Sequence, residues 1–90
     1  MKTLDHTTRQ APALEALALL DAGDLNGAHR LVQDDPSPEA AWVHAHLHRT
    51  EGDIWNARYW YARAGRPEST RNLEDERREI MHVLGSSSSY

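Results

Sequence analysis

The stretch Trp42-Val-His-Ala-His-Leu-His-Arg-Thr-Glu-Gly-Asp-Ile-Trp-Asn-Ala-Arg-Tyr-Trp-Tyr-Ala-Arg-Ala-Gly65 decides the fold of this 90-residue chain. It holds all three tryptophans and three of the six histidines. It reads as a helix, a tight turn at Glu51-Gly52-Asp53 and a second helix. A glycine at such a turn supplies the left-handed conformation that closes one helix, and an aspartate after it caps the next.

The same punctuation continues on both sides. Upstream, Ser37-Pro38-Glu39 combines a cap, a proline at the first helical position and an acid in the first turn, and so predicts a helix over about 38–51. Before it, Asp24 caps a helix carrying Leu25, Ala28, Leu31 and Val32. A further helix begins near Pro12, carries Leu14, Leu17, Ala18 and Leu20, and stops at Gly23. Downstream, Gly65 ends the helix of about 54–64. Pro67-Glu68-Ser69-Thr70 is expected to open a fifth helix reaching about Leu84. Residues 1–10 are polar and aperiodic, and are expected to form a flexible arm. Residues 11–84 form one all-α domain of five helices, and residues 85–90 a disordered serine-rich tail.

The chain repeats itself at an offset of 29. Gly23-Asp24-Leu25 falls on Gly52-Asp53-Ile54, Ala28 on Ala57, Pro38 on Pro67 and Glu39 on Glu68. Each unit is a helix, a Gly-Asp turn and a second helix, with a small alanine where the two helices of a hairpin approach. Gly52-Asp53, Ala57 and Trp60-Tyr61-Ala-Arg-Ala-Gly65 resemble the second-helix segment of the tetratricopeptide and Sel1-like helical repeats. Residues 42–65 as a whole are also similar to a segment of small proteins that carry no known activity. The repeat spacing is shorter than the usual ~34 residues. The resemblance implies two antiparallel hairpins and a role in protein–protein interaction. It also implies that the first helix of a hairpin lines the concave binding face. Two units are few for such an array, so the fifth helix is expected to act as a cap. Its apolar positions are Leu73, Ile80, Met81, Val83 and Leu84. Its charged face is Arg71, Glu74, Asp75, Arg77, Arg78 and Glu79, with Glu74–Arg78 and Arg71–Asp75 at ion-pair spacing.

The totals narrow the function. The chain has no cysteine, which excludes disulfide scaffolds, thiolate metal sites and thiol nucleophiles. A net charge of −4, with nine arginines and one lysine interleaved with acids, argues against general nucleic-acid binding. The N-terminus does not read as a secretory signal, and the most apolar run, residues 13–20, is too short to span a membrane. A cytoplasmic setting is expected. No serine lies beside a placed base, and no glycine-rich phosphate loop exists.

Two sets of residues remain as candidate sites. His44, His48 and Glu51 share one narrow face of the third helix: His48 lies ~40° from His44, and Glu51 about 20° to the other side. A His pair at i, i+4 with a carboxylate could hold a divalent transition metal. The zincin pattern is absent, because Ala45 follows His44, and no second helix offers obvious ligands. The plainer reading makes the two histidines part-buried, hydrogen-bonding scaffold. The second set follows from the resemblance. Trp42, His44, His46, His48 and Arg49 would line a groove for a peptide or protein partner. Trp55 and Tyr59 form an i, i+4 aromatic strip, either exposed for a partner or a second copy of the chain, or covered by the fifth helix. The expected role is a non-catalytic interaction module with no required cofactor; the alternative is a metal-binding protein or metal-dependent enzyme.

Overall fold

A computed structural model describes residues 5–87, and the side-chain surroundings of residues 12–85. Five helices follow in order: α1 (Asp5–Asp21), α2 (Leu25–Val32), α3 (Pro38–Thr50), α4 (Ile54–Ala64) and α5 (Leu73–Ser87). No strand occurs among the described residues.

The two hairpin turns are copies at the level of hydrogen bonds. Gly23 N–H donates to the Leu20 carbonyl and Asp24 N–H to that of Leu19; Gly52 and Asp53 donate to those of Arg49 and His48 in the same way. Both glycines have positive φ, 86° and 78°. Both aspartates then cap the following helix, Asp24 accepting from the Gly27 amide and Asp53 from the Asn56 amide. Ala28 and Ala57 are fully buried where the paired helices meet. A Cβ at Gly52 would meet no atom within 4 Å, so the constraint is backbone conformation and not space. Gly52→Val is therefore expected to cost more than roughly 1 kcal/mol, because a β-branched residue is poorly suited to positive φ. Urea unfolding checks this, and unchanged stability would contradict the turn.

The repeat stops at its exit. Ser37 Oγ accepts from the Ala40 amide and starts α3 with Pro38 in its first turn. The residue 29 positions on is Arg66, which offers no capping oxygen, and Pro67-Glu68 starts no helix. Residues 66–72 are irregular, and α5 begins only at Leu73, where Asn72 Oδ1 accepts from the Asp75 amide. At the other end of the chain, α1 already runs from Asp5 and contains Pro12, which the sequence placed at its first turn. The polar residues before Pro12 carry no apolar stripe, so periodicity could not reveal that extension. The arm expected over 1–10 is helical from Asp5, and residues 1–4 lie outside the described residues. The tail expected from Gly85 is likewise helical through Ser87, with residues 88–90 outside.

Helix α3 is the centre of the molecule. All eight residues from Ala40 to Leu47 are buried, and α1, α2, α4 and α5 all pack on it. The core around it is alanine-rich, with Trp42, Tyr61, Leu17, Leu47, Val32, Val43 and Ile80 among its larger members. Helix α5 packs across α3 and α1, the first helices of the two hairpins. It does not stack on α4 as a terminal cap would; the two meet through the Tyr61 side chain. The helices that the resemblance implied would line a binding face are thus covered by α5. Along α5, Arg78 meets Asp75 at 3.4 Å and Arg71 meets Glu79 at 3.2 Å, in place of the i, i+4 pairs read from the sequence. No described helix is long and apolar enough to cross a membrane.

Candidate functional site

A helix turns 100° per residue, so a helix wrapped on all sides sends alternate residues to opposite neighbours. His46 lies about 200° from His44, while Trp42, His46 and Arg49 share one face and His44 and His48 the other. This divides the five groove candidates into two sites.

On the α5 side stands Glu76, fully buried at 0% exposure. Its Oε1 accepts from His46 Nδ1 at 2.8 Å and Arg49 Nη1 at 2.7 Å. Its Oε2 accepts from Trp42 Nε1 at 3.3 Å and from the Tyr61 hydroxyl. Four donors occupy the roughly four lone-pair positions of a carboxylate. Burial by itself raises a carboxyl pKa; the bonds from His46, Tyr61 and Arg49 outweigh it and bring Glu76 down to about 2. Burial and the same carboxylate push the Tyr61 phenol above its usual range. Arg77 Nε donates to His46 Nε2 at 3.2 Å, which makes His46 the tautomer protonated on Nδ1. Arg49 also donates through Nη2 to the Arg71 carbonyl at 2.7 Å, and the Arg66 guanidinium lies 3.4 Å from the centre of a Trp42 ring. A carboxylate so strongly acidic, with every lone pair engaged, is no proton acceptor near neutral pH. It is a clasp that holds α3, α4 and α5 together. Trp42 and His46 are buried, and Trp42, His46 and Arg49 are all held by Glu76.

Glu76 belongs to neither the apolar positions nor the charged face expected of α5. The signal was present in its position, three residues after Leu73 and four before Ile80, which puts it on the packed stripe and not on the charged face.

On the opposite face, His44 is 3% exposed and stacks on Trp60 of α4, with ring centres 3.9 Å apart. His48 stacks on the other side of His44 at 4.9 Å. His29 of α2 meets both rings edge-on, at 4.8 and 5.8 Å. Burial, then the neighbouring His48 and His29, lower the His44 pKa to about 4, so the ring is neutral at pH 7. The Nδ1 atoms of His44 and His48 are buried without a hydrogen bond. Glu51 Oε1 lies 3.3 Å from His48 Nδ1 and Asp53 Oδ2 4.0 Å from it, within ion-pair range but outside hydrogen-bonding geometry. The i, i+4 pair read from the sequence thus comes together as expected. Its third member is His29, from a second helix that had seemed to offer no ligand, while Glu51 stands behind His48. The only hint of His29 in the sequence is its place next to the buried contact residue Ala28.

The aromatic strip on α4 is open. Trp55 is 80% and Tyr59 51% exposed, and Ile54 beside them is exposed too. Arg58 lies 5.5 Å over the Trp55 ring and pairs with Glu68 at 3.0 Å. Arg63 lies 5.7 Å over Tyr59 and donates to its hydroxyl at 2.8 Å. Since α5 lies across α1 and α3, it leaves this strip uncovered. A depression of about 600 Å³ lies elsewhere, lined by Asp21, Glu74, Arg77, Arg78, Met81 and His82, and it contains the Asp21–Arg77 ion pair.

Compared with known proteins, the chain matches no family model, no curated protein and no solved structure.

Proposed function

We propose that the chain is a small non-catalytic interaction module that binds an apolar, acid-flanked segment of a protein partner on the outer face of α4. The observation that carries this reading is the exposed Trp55–Tyr59 pair with arginines over both rings. Large aromatic side chains fix much area with little loss of rotamer freedom, and Arg beside them favours carboxylates. With Ile54 exposed beside them, Trp55 and Tyr59 form a contiguous apolar patch, and such patches often mark interaction sites. The paired Gly-Asp turns support a relationship to tetratricopeptide and Sel1-like repeats, with α5 lying where such arrays hold their ligands. A cytoplasmic setting fits the absence of cysteine. The alternative, a metal-binding role, draws on the separate His29, His44 and His48 cluster.

The Trp55→Ala, Tyr59→Ala double variant tests this reading. Both side chains are exposed, so its stability is expected to stay within about 0.5 kcal/mol of wild type. Partners captured by wild type are expected to bind it at least tenfold more weakly, measured with purified components. Identical affinity of both proteins for those partners would remove the α4 surface. Sedimentation over a concentration series reads self-association: a wild-type dimer abolished in the double variant would make the partner a second copy of the chain.

A further inference from the structure

We propose that His29, His44 and His48 form a binding site for a divalent transition ion of the Zn²⁺ type, with three imidazole ligands drawn from two helices. One ligand nitrogen from each ring can be chosen so that all lie within 4.8 Å of one another. Zinc–nitrogen bonds of about 2.0–2.1 Å at tetrahedral angles place ligand nitrogens roughly 3.3 Å apart, so closing the site requires the His44 and His48 rings to turn out of their stack until their lone pairs converge. The second observation is the pair of orphaned atoms. Buried polar atoms nearly always have a partner, and the Nδ1 of the almost fully buried His44 has none, nor does that of His48. Three imidazoles with no thiolate suit zinc, copper or nickel better than calcium or magnesium. Two ligands are on α3 and one on α2, so a bound ion would clamp these helices across the core and leave a fourth position for water or a side chain from outside. The site is independent of the α4 strip, since neither Trp55 nor Tyr59 belongs to it.

The test uses tag-free full-length protein stripped of metal, titrated with Co²⁺ followed by visible absorption and with Zn²⁺ by calorimetry. One equivalent of Co²⁺ is expected to give the intense ligand-field bands of a four-coordinate site, displaced by Zn²⁺. His29→Ala and His48→Ala, at the less buried positions, are each expected to weaken Zn²⁺ binding at least 100-fold while keeping the helical circular dichroism. His82→Ala, at an exposed position on α5, is expected to bind as wild type does. No stoichiometric binding at micromolar Zn²⁺ would overturn the proposal. So would binding that survives both His29→Ala and His48→Ala, which would place the ion elsewhere on the chain. If either variant is unfolded, His29→Gln and His48→Gln replace them with the same expected loss.

Discussion

Glu76→Ala is expected to destabilise the protein by roughly 3–5 kcal/mol, the range for removing one partner of a buried ion pair. Truncation leaves His46 Nδ1, Arg49 Nη1, Trp42 Nε1 and the Tyr61 hydroxyl without their common acceptor. Arg49 then becomes a part-buried cation without a counter-charge. A domain of this size has a total stability of only about 5–15 kcal/mol, so the variant is expected to be largely unfolded or to melt far below wild type. Glu76→Gln keeps the shape and one acceptor oxygen but points an amide donor at other donors, and is expected to cost roughly 1–3 kcal/mol. Urea unfolding of the three proteins gives the order wild type, Gln, Ala. An alanine variant as stable as wild type would show that the carboxylate does not hold α5 to α3. Arg49→Ala, His46→Ala and Glu76→Ala share one network, so their costs are expected to add to less than their sum.

Acid is expected to unfold the metal-free protein in two stages. The folded pKa of His44, about 4, lies below the ordinary 6.5. Between these values the unfolded chain binds the proton that the folded chain refuses. This contribution is intact above pH 6.5 and is lost as pH falls toward 4, by about 2 kcal/mol between pH 7 and pH 5. The folded pKa of Glu76, about 2, lies below the ordinary 4.5. Its stabilisation is present above pH 4.5 and lost as pH falls toward 2, a further loss on the order of 3 kcal/mol. Melting temperatures measured across pH 2–8 in the presence of a chelator read both stages. His44→Phe, which preserves the ring stack on Trp60, is expected to flatten the upper stage and leave the lower one. A stability that is level from pH 7 to pH 4.5 would contradict the burial of His44.

The hairpins were legible because helix punctuation is local. Asp24 and Asp53 cap amides three residues away, and the glycine turns bond to carbonyls three and five residues back. A repeat in sequence therefore became a repeat in geometry. The expectation failed where the local signal was incomplete. Pro67-Glu68 copies Pro38-Glu39, but Arg66 stands where Ser37 supplies the capping oxygen, so α5 starts later. The helix before Pro12 was invisible because its residues have no apolar face.

The candidate sites were half legible. The spacing of His44 and His48 put them together, because i and i+4 share a face on any helix. The same reasoning separates His46 from both, yet the groove expectation pooled them. Neither His29 nor Glu76 could be joined to α3 from the sequence, since each lies on another helix, 15 residues before His44 and 30 after His46.

What the sequence determined by itself is the set of helices from Leu25 to Ala64 and the two Gly-Asp turns. Only the tertiary structure decided that α5 folds back over α1 and α3, that Glu76 closes a buried clasp there, and that His29 completes a three-histidine cluster on the other side of α3. The reason is range. Capping and periodicity act over three or four residues, whereas the choice of which helix faces meet is made by packing between segments that the chain brings together from far apart.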